Sequence, residues 1–508
     1  METITPISLG EEVPGVHQHA SNAGDPPLKE EVLSRSFVEP LLHAGIEVLR
    51  PTDADFTTRQ NSYWSKSART PTPAYIARPR SAAEVSTIVR TLAAAGGPFA
   101  IRSGGHAQYA GASSIAGGVT VDLGRLDWAR FDAGAETADL GPGARWGRVY
   151  AELARHGRVV AGGRDGDVGV GGFVLGGGYT FFAAARGFAC DDVVQFEVVL
   201  ADGRVVVADA THNNCDLFVA LKGGSNNFGV VTNIRMRAIR CEKVWGGLNF
   251  FPREVTPDAI DALVHFAGNC HVDEESHLLF FFTYLPNFKS TVIVSAYVQV
   301  GGVERASAYD KFLALPAIVD TTKMTTVGEV VSEYDIAPQD NYNTFFTLSV
   351  RNDARIVSKA SELHDQLVDD LKGFIPDGDF ITQCLVQPLP RLYGQKSAMA
   401  GGNIMGVESQ PVDGLLFVAV VMVKTPEQEA FAYPRVRAWV EALKAFAGTI
   451  ENGLLPWVYL NYADKTQEVL QSYGPQNVAK MNEVAAKYDP QRVFQKLCPG
   501  GFKLPGAG

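Results

Sequence analysis

Apolar and polar positions alternate in two different textures along the chain. In "ARPRSAAEVSTIVRTLAAAGGPFAIRSGGH" (77–106), Val85, Ile88, Val89 and Leu92 recur at helical spacing. Ser81 and Glu84 form a capping box at the start of that helix, and Gly96-Gly97-Pro98 ends it. "PFAIR" then reads as a short strand that delivers the chain into the SGGH loop, a place where α/β units hold phosphates or cofactors. From 118 to 240 short strands dominate: "GVTVDL", "VVQFEVVLADGRVVVADA" and "FGVVTNIRMRAI". The second carries Ala201-Asp202-Gly203 between two valine-rich runs, a hairpin signature.

After residue 240 the apolar runs lengthen. "LLFFFTYLP" (278–286), "TVIVSAYVQV" (291–300) and "LLFVAVVMV" (415–423) predict an antiparallel sheet covered on one face by helices such as "ASELHDQLVDDLKGF" (360–374). Within Phe280-Phe281-Phe282-Thr283-Tyr284 most rings belong to a core, and alternate positions are free to line a cavity. "EEVLSRSFVEPLLHAG" (30–45) predicts a helix, preceded by a flexible leader over 1–30. The whole reads as an α+β protein without internal repeats.

Composition narrows the class. The 508 residues suffice for two domains, and 46% hydrophobic with 20% charged residues is ordinary for a soluble globular chain. A formal charge of −11 argues against nucleic-acid or anionic-membrane partners, which need a basic face. The densest basic run, "IRMRAIRCEK" (234–243), alternates Arg with apolar residues and reads as a half-exposed strand. The six cysteines (190, 215, 241, 270, 384, 498) are scattered without a CxxC, so they do not form a disulfide framework. The N-terminus lacks the basic and apolar regions of a signal peptide, and no Asn-x-Ser/Thr sequon occurs. The expected location is cytoplasmic. Val168–Ala185 carries six glycines and is rejected as a membrane helix.

Three glycine-rich loops carry the candidate chemistry: "RSGGH" (102–106), "GGRDGDVGVGGFVLGGGYTFF" (162–182) and "LKGGSNNFGVVT" (221–232). Neither Gly169-Val170-Gly171-Gly172-Phe173-Val174 nor "GPGARWG" (141–147) completes a GxGxxG fingerprint, because Val174 and Trp146 hold the last position. Each loop alone is consistent with a tight turn between strands. Together with His106 they suggest a long ligand whose pyrophosphate is held by main-chain N–H groups. His265, Cys270, His271 and His277 lack zinc spacing, so no metal is expected, and "VHQH" (16–19) reads as solvated leader. No G-x-S-x-G elbow supports hydrolysis.

"PAYIARPRSAAEV", "RSGGH", "VGVGGFVLGGG", "DLFVALKGGSNNFGVVT", "YLNY" and "KYDPQRVF" occur in that order. Together they resemble the berberine-bridge-enzyme-like branch of the FAD-linked oxidases that share the vanillyl-alcohol-oxidase fold, from about residue 45 to the C-terminus. "FFAAARGFACDDV" (181–193) is most similar to fungal members, many of which serve secondary metabolism. The resemblance implies a two-lobed FAD-binding domain from residues 31–240 and 456–508, around a substrate-binding domain at 241–455. It implies a covalent bond from His106 to the flavin 8α-methyl, which raises the flavin potential and prevents cofactor loss. The implied cradle comprises Arg102, Ser103, Gly104, Gly105 and Ala107 beside His106; Gly163, Asp165, Val168, Gly169, Gly171, Gly172 and Gly178 in the second loop; and Val231 in the third. From "YLNY", Asn461 contacts the flavin, Tyr462 is a cofactor-wall residue, and Tyr459 borders the substrate. A depressed pKa would let the Tyr459 phenol act as base; the alternative is a half-buried aromatic with its hydroxyl satisfied. As a strand, the segment would put Tyr459 and Asn461 on one face and Tyr462 on the other.

One departure matters. Where many relatives read "G-T-C-P-T-V-G-V-G-G" and bond the cysteine to flavin C6, this chain has Asp165, a turn residue or backbone acceptor that cannot make a thioether. A single histidyl tether is expected. Val168 falls where plant relatives gate oxygen, and valine there accompanies oxidases. The expected protein is therefore a monomeric or weakly dimeric oxidase that takes a hydride from a small organic molecule and returns electrons to molecular oxygen as hydrogen peroxide. The alternatives are a dehydrogenase with another acceptor, a flavin-scaffolded cyclase, and a non-catalytic flavin-binding protein.

Overall fold

The computed structural model of the chain describes residues 37–333 and 340–506. The leader, "VHQH" and the start of the first predicted helix lie outside them; the described part of that helix spans Glu39–His43. The architecture is α+β, built on three main sheets.

In the first sheet, Tyr75–Arg78, Val119–Asp122 and Phe99–Arg102 run parallel, with Glu47–Leu49 antiparallel at the edge. Helix Ala82–Ala95 buries Val85, Ile88, Val89 and Leu92, the stripe its spacing predicts. Its capping box is half formed. Ser81 Oγ accepts from the Glu84 N–H at 3.2 Å, but the Glu84 carboxylate turns to the Arg80 N–H (2.9 Å) instead of that of Ser81. Gly96 closes the helix at φ +62°.

The second sheet is antiparallel, in the order Ala129–Asp132, Thr137–Leu140, Val230–Arg237, Val193–Val199, Val205–Asp209. The predicted hairpin joins the last two, and the arginine-rich strand is half exposed, with Arg235 paired to Asp139 at 2.9 Å. The C-terminal segment returns to these two sheets. The Phe99 N–H donates to the Leu497 carbonyl (2.7 Å), and Phe494 and Cys498 complete the first sheet's core.

Among the described residues the third sheet has nine strands, all antiparallel. Its central order is Val244–Phe251, Ser290–Gln299, Ser276–Leu285, Phe380–Leu389, Gly414–Val423, Tyr342–Arg351. Strand alternation sorts the long apolar runs onto two faces. Phe280, Phe282 and Tyr284 join the main core, which includes helices Ala354–Lys372 and Pro426–Gly448. Leu279 and Phe281 face the other way, with Leu248, Ala296, Leu385 and Met422. Among the described residues, no α-helix contributes to that second cluster. Among the described residues no helix is long and apolar enough to cross a membrane, and no group of His, Cys, Asp and Glu could hold a metal.

Candidate functional site

This second face of the large sheet forms one side of a cavity of about 410 Å³. The opposite side is built from the three glycine loops and the "YLNY" segment. Backbone contacts bring the first two loops together. A Cβ on Gly104 would stand 2.5 Å from the Gly169 Cα, and one on Gly169 would meet Gly104 at the same distance. Only two bare backbones pack this closely. Arg145 fastens the pair, donating to the Gly104 carbonyl (2.9 Å) and to the Asp167 carbonyl. The third loop lines the cavity through Ser225, Asn226 and Val231 and is held from the C-terminal end, where Asn227 Nδ2 donates to the Phe502 carbonyl (2.9 Å).

His106 stands on the cavity wall. Trp64 stacks on its ring, with centroids 4.5 Å apart and planes 12° from parallel. Burial, then the Arg145 charge, lowers the imidazole pKa to about 3, with the Asp167 carbonyl opposing. The ring is thus neutral near pH 7. Its Nδ1 is shut off from solvent and has no hydrogen-bond partner. A buried ring nitrogen without a partner costs about 1–3 kcal/mol unless something else engages it.

Most of the predicted contacts converge here. Ser103, Gly104, Gly105 and Ala107 line the cavity from the first loop, and Asp165, Val168, Gly169, Gly171 and Gly172 from the second. Asp165 is a turn residue, its Oδ1 accepting from the Asp167 N–H at 2.7 Å. Among the described residues, no cysteine lines the cavity.

Three predicted contacts lie outside the lining, for packing reasons. Arg102 is fully buried with its guanidinium 3.6 Å from the centre of the Tyr63 ring, and donates to the Arg59 carbonyl (2.7 Å) and Ser62 Oγ (2.8 Å). Gly163 lies against Trp146, and its carbonyl accepts from the Tyr150 hydroxyl (2.8 Å). Gly178, at φ +80°, makes room for Phe173 and Ala189.

The "YLNY" segment also departs from expectation. It is not a strand: Leu460–Tyr462 form a 3₁₀ turn in which the Tyr462 N–H donates to the Tyr459 carbonyl (3.2 Å). The turn brings the two tyrosine rings edge to face at 4.9 Å and leaves both residues, with Asn461, on the cavity wall. The Tyr459 oxygen accepts from the Tyr179 N–H (2.7 Å) and from Asn461 Nδ2 (3.1 Å). Burial pushes its pKa up, the reverse of the shift a base requires. Tyr462 is placed differently. Its oxygen accepts from Arg164 Nη2 at 2.6 Å, and Arg164 Nη1 lies 3.1 Å from His277 Nε2.

Trp64, Arg145 and Arg164 were not marked by their sequence context. The signal for Arg164 is one position before Asp165, where the relatives' segment has threonine. Two consecutive departures in a cofactor loop mark a changed surface, and only the second is obvious from the thioether chemistry.

Residues 73–209 match the FAD binding domain family. FAD-dependent monooxygenase drtC of Aspergillus calidoustus is 37% identical over 464 residues, covering 91% of this chain and 88% of the relative. The chain belongs to the FAD-dependent oxidoreductases that include drtC. Solved structures share the fold of this FAD-linked enzyme at low identity. The 6-hydroxy-D-nicotine oxidase of Arthrobacter nicotinovorans superposes with a TM-score of 0.73 at 21% identity, covering 88% of this chain and 96% of that one. Glucooligosaccharide oxidase of Acremonium strictum, described with 6-S-cysteinyl, 8α-N1-histidyl FAD, gives 0.72 at 21% identity, covering 90% and 97%. The cavity suits FAD: glycine backbones line one wall, and His106, whose Nδ1 is orphaned, belongs to the lining.

Proposed function

We propose that this oxidoreductase is an oxidase carrying FAD on a single covalent bond from His106, and that it oxidises a small organic molecule of secondary metabolism. The observation that carries the reading is His106 Nδ1, buried, neutral and without a partner at the cavity wall. The absence of cysteine among the described lining residues supports one tether and not two. Bound flavin supplies two-electron acceptance from a substrate C–H bond and return of those electrons to oxygen as hydrogen peroxide.

The chain's own residues do the rest. The glycine loops offer main-chain N–H groups to the diphosphate, and Arg145 keeps those loops in register. FAD draws on residues 31–240 and 456–508, while 241–455 shape the substrate side. Tyr462 transfers the substrate proton, its oxygen oriented by Arg164 at the cavity wall. Tyr459 and Asn461 hold the turn that presents it. Val168, in the cavity lining, is the side chain we assign to oxygen access.

The test is sequential. Acid precipitation of purified protein leaves the yellow colour in the pellet, and rapid mixing of reduced enzyme with air gives fast reoxidation with one peroxide per turnover. Sluggish reoxidation would make the enzyme a dehydrogenase, and product of unchanged mass would make it a cyclase. The drtC name favours one second reading, monooxygenation. Turnover under ¹⁸O₂ decides it, because a monooxygenase puts one labelled oxygen into product.

A further inference from the structure

The two sides of the cavity differ in what they offer a substrate. The sheet side presents Leu248, Leu279, Phe281, Leu385 and Met422, with Gln383 as the polar exception. A sugar carries a hydroxyl on nearly every carbon. Against this wall most of those groups would lose water without gaining a partner, at about 1–3 kcal/mol each. The surface instead rewards apolar area, at about 25 cal/mol per Å² buried.

The charged side chains in the lining are Asp165, whose Oδ1 accepts from the Asp167 N–H at 2.7 Å, and Arg164. Its guanidinium is held on three sides: Nη1 faces His277 Nε2 at 3.1 Å, Nη2 donates to the Tyr462 oxygen at 2.6 Å, and the plane sits 4.3 Å from the centre of the Tyr179 ring. A guanidinium only donates, so His277 Nε2 is the acceptor and the imidazole proton sits on Nδ1. Burial and the Arg164 charge hold the His277 pKa well below its usual value, which keeps that acceptor available. None of the three partners carries a negative charge. Arg164 is therefore fixed in direction while its charge stays uncompensated by these contacts, beside the tyrosine assigned to proton transfer.

We propose that the cavity takes a largely apolar substrate bearing one acidic oxygen group, a carboxylate, enolate or phenolate, and that Arg164 receives that group beside Tyr462. This rests on the reading of the cavity as the oxidase site and names its substrate class. Arg164 sets specificity by charge and hydrogen bonding, the sheet wall does so by area, and His277 is a positioning residue for Arg164.

Calorimetric titration of the purified holoenzyme tests this with three probes: 2-naphthoate, its neutral counterpart 2-naphthamide, and cellobiose. The expected result is naphthoate binding at least tenfold tighter than naphthamide, about 1.4 kcal/mol, with no heat from cellobiose at the same concentrations. Arg164→Gln should abolish the preference, and a circular dichroism spectrum matching the wild type shows that the variant is folded. His277→Leu should reduce the preference without abolishing it. An unchanged preference in Arg164→Gln, no preference in the wild type, or cellobiose binding tighter than either naphthalene would overturn the proposal. Calorimetry reads binding whether or not flavin is attached, and absorbance near 450 nm in the same sample reports the flavin. A colourless protein that still prefers naphthoate would refute the tether and leave the substrate class standing.

Discussion

The two walls of the cavity face the same space but are built on opposite principles. On the loop side glycines bring bare main chain together, with no side chain between Gly104 and Gly169, and the side chains of His106, Arg164 and Tyr462 stand beside it. On the sheet side the lining is apolar side chains, placed by strand alternation. Gly104 and Gly169 leave no room for an added atom where they meet, whereas the sheet wall is made of side chains that face the cavity. A residue's chemistry therefore says less about its role than the side of the backbone it occupies. Phe280 and Phe281 are neighbours of the same kind, yet one is sealed in the core and the other lines the cavity.

The largest effect that would break this comparison is at His106. His106→Ala should move all of the flavin from the acid pellet to the supernatant, and turnover should fall at least tenfold as the flavin potential drops. Flavin that stays with the precipitated variant would mean that another residue holds it.

The sheet wall is next. Phe280→Ala should cost about 3–5 kcal/mol in denaturant unfolding, as for a fully enclosed ring. Phe281→Ala should stay within about 1 kcal/mol in the same measurement and raise KM instead, since its ring contributes to substrate binding. Equal destabilisation by both would erase the distinction between the faces. On the loop side, Tyr462→Phe should lower kcat by about 10²-fold, at the low end for a lost proton-transfer group. Tyr459→Phe should stay within tenfold, because its oxygen serves as an acceptor inside the turn. A larger loss at Tyr459 would return the role to the residue that "YLNY" first suggests.

How far the sequence discloses these walls follows from the kind of information each uses. Helix Ala82–Ala95, the hairpin around Ala201-Asp202-Gly203 and the long strands are written in local periodicity, so they are legible. The glycine loops and His106 are legible because their residue types and order resemble a known family. Asp165 could be read as a turn residue because thioether chemistry excludes a carboxylate. The turn at Leu460–Tyr462 was hidden: four residues do not reveal whether they are extended, and tertiary contacts from Tyr179 and Arg164 decide it. Arg102 misled for a related reason. It ends a strand beside the loop, and side-chain direction at that point is set by the Tyr63 ring, 39 positions away in the chain. Arg145 and Trp64 act from distant segments and carry no motif of their own.

The smallest predicted effect is the sharpest test of what the glycines are for. Gly169 has φ −76° and ψ 144°, a conformation alanine adopts freely, so Gly169→Ala adds no backbone strain. Its methyl would nonetheless stand 2.5 Å from the Gly104 Cα, and parting the two loops should cost about 1–3 kcal/mol, read as a lower Tm. Gly172 provides the contrast. It lines the cavity inside helix Val170–Leu175, and a Cβ there would meet no protein atom within 4 Å. Gly172→Ala should therefore raise the stability of flavin-free protein by about 0.5–1 kcal/mol, the helix preference of alanine over glycine. If the bare Cα serves the cofactor, the same variant should incorporate less flavin during expression. A Gly172→Ala protein that is more stable and carries its full complement of flavin would show that the second loop is glycine-rich for packing against the first, and not for room at the cavity.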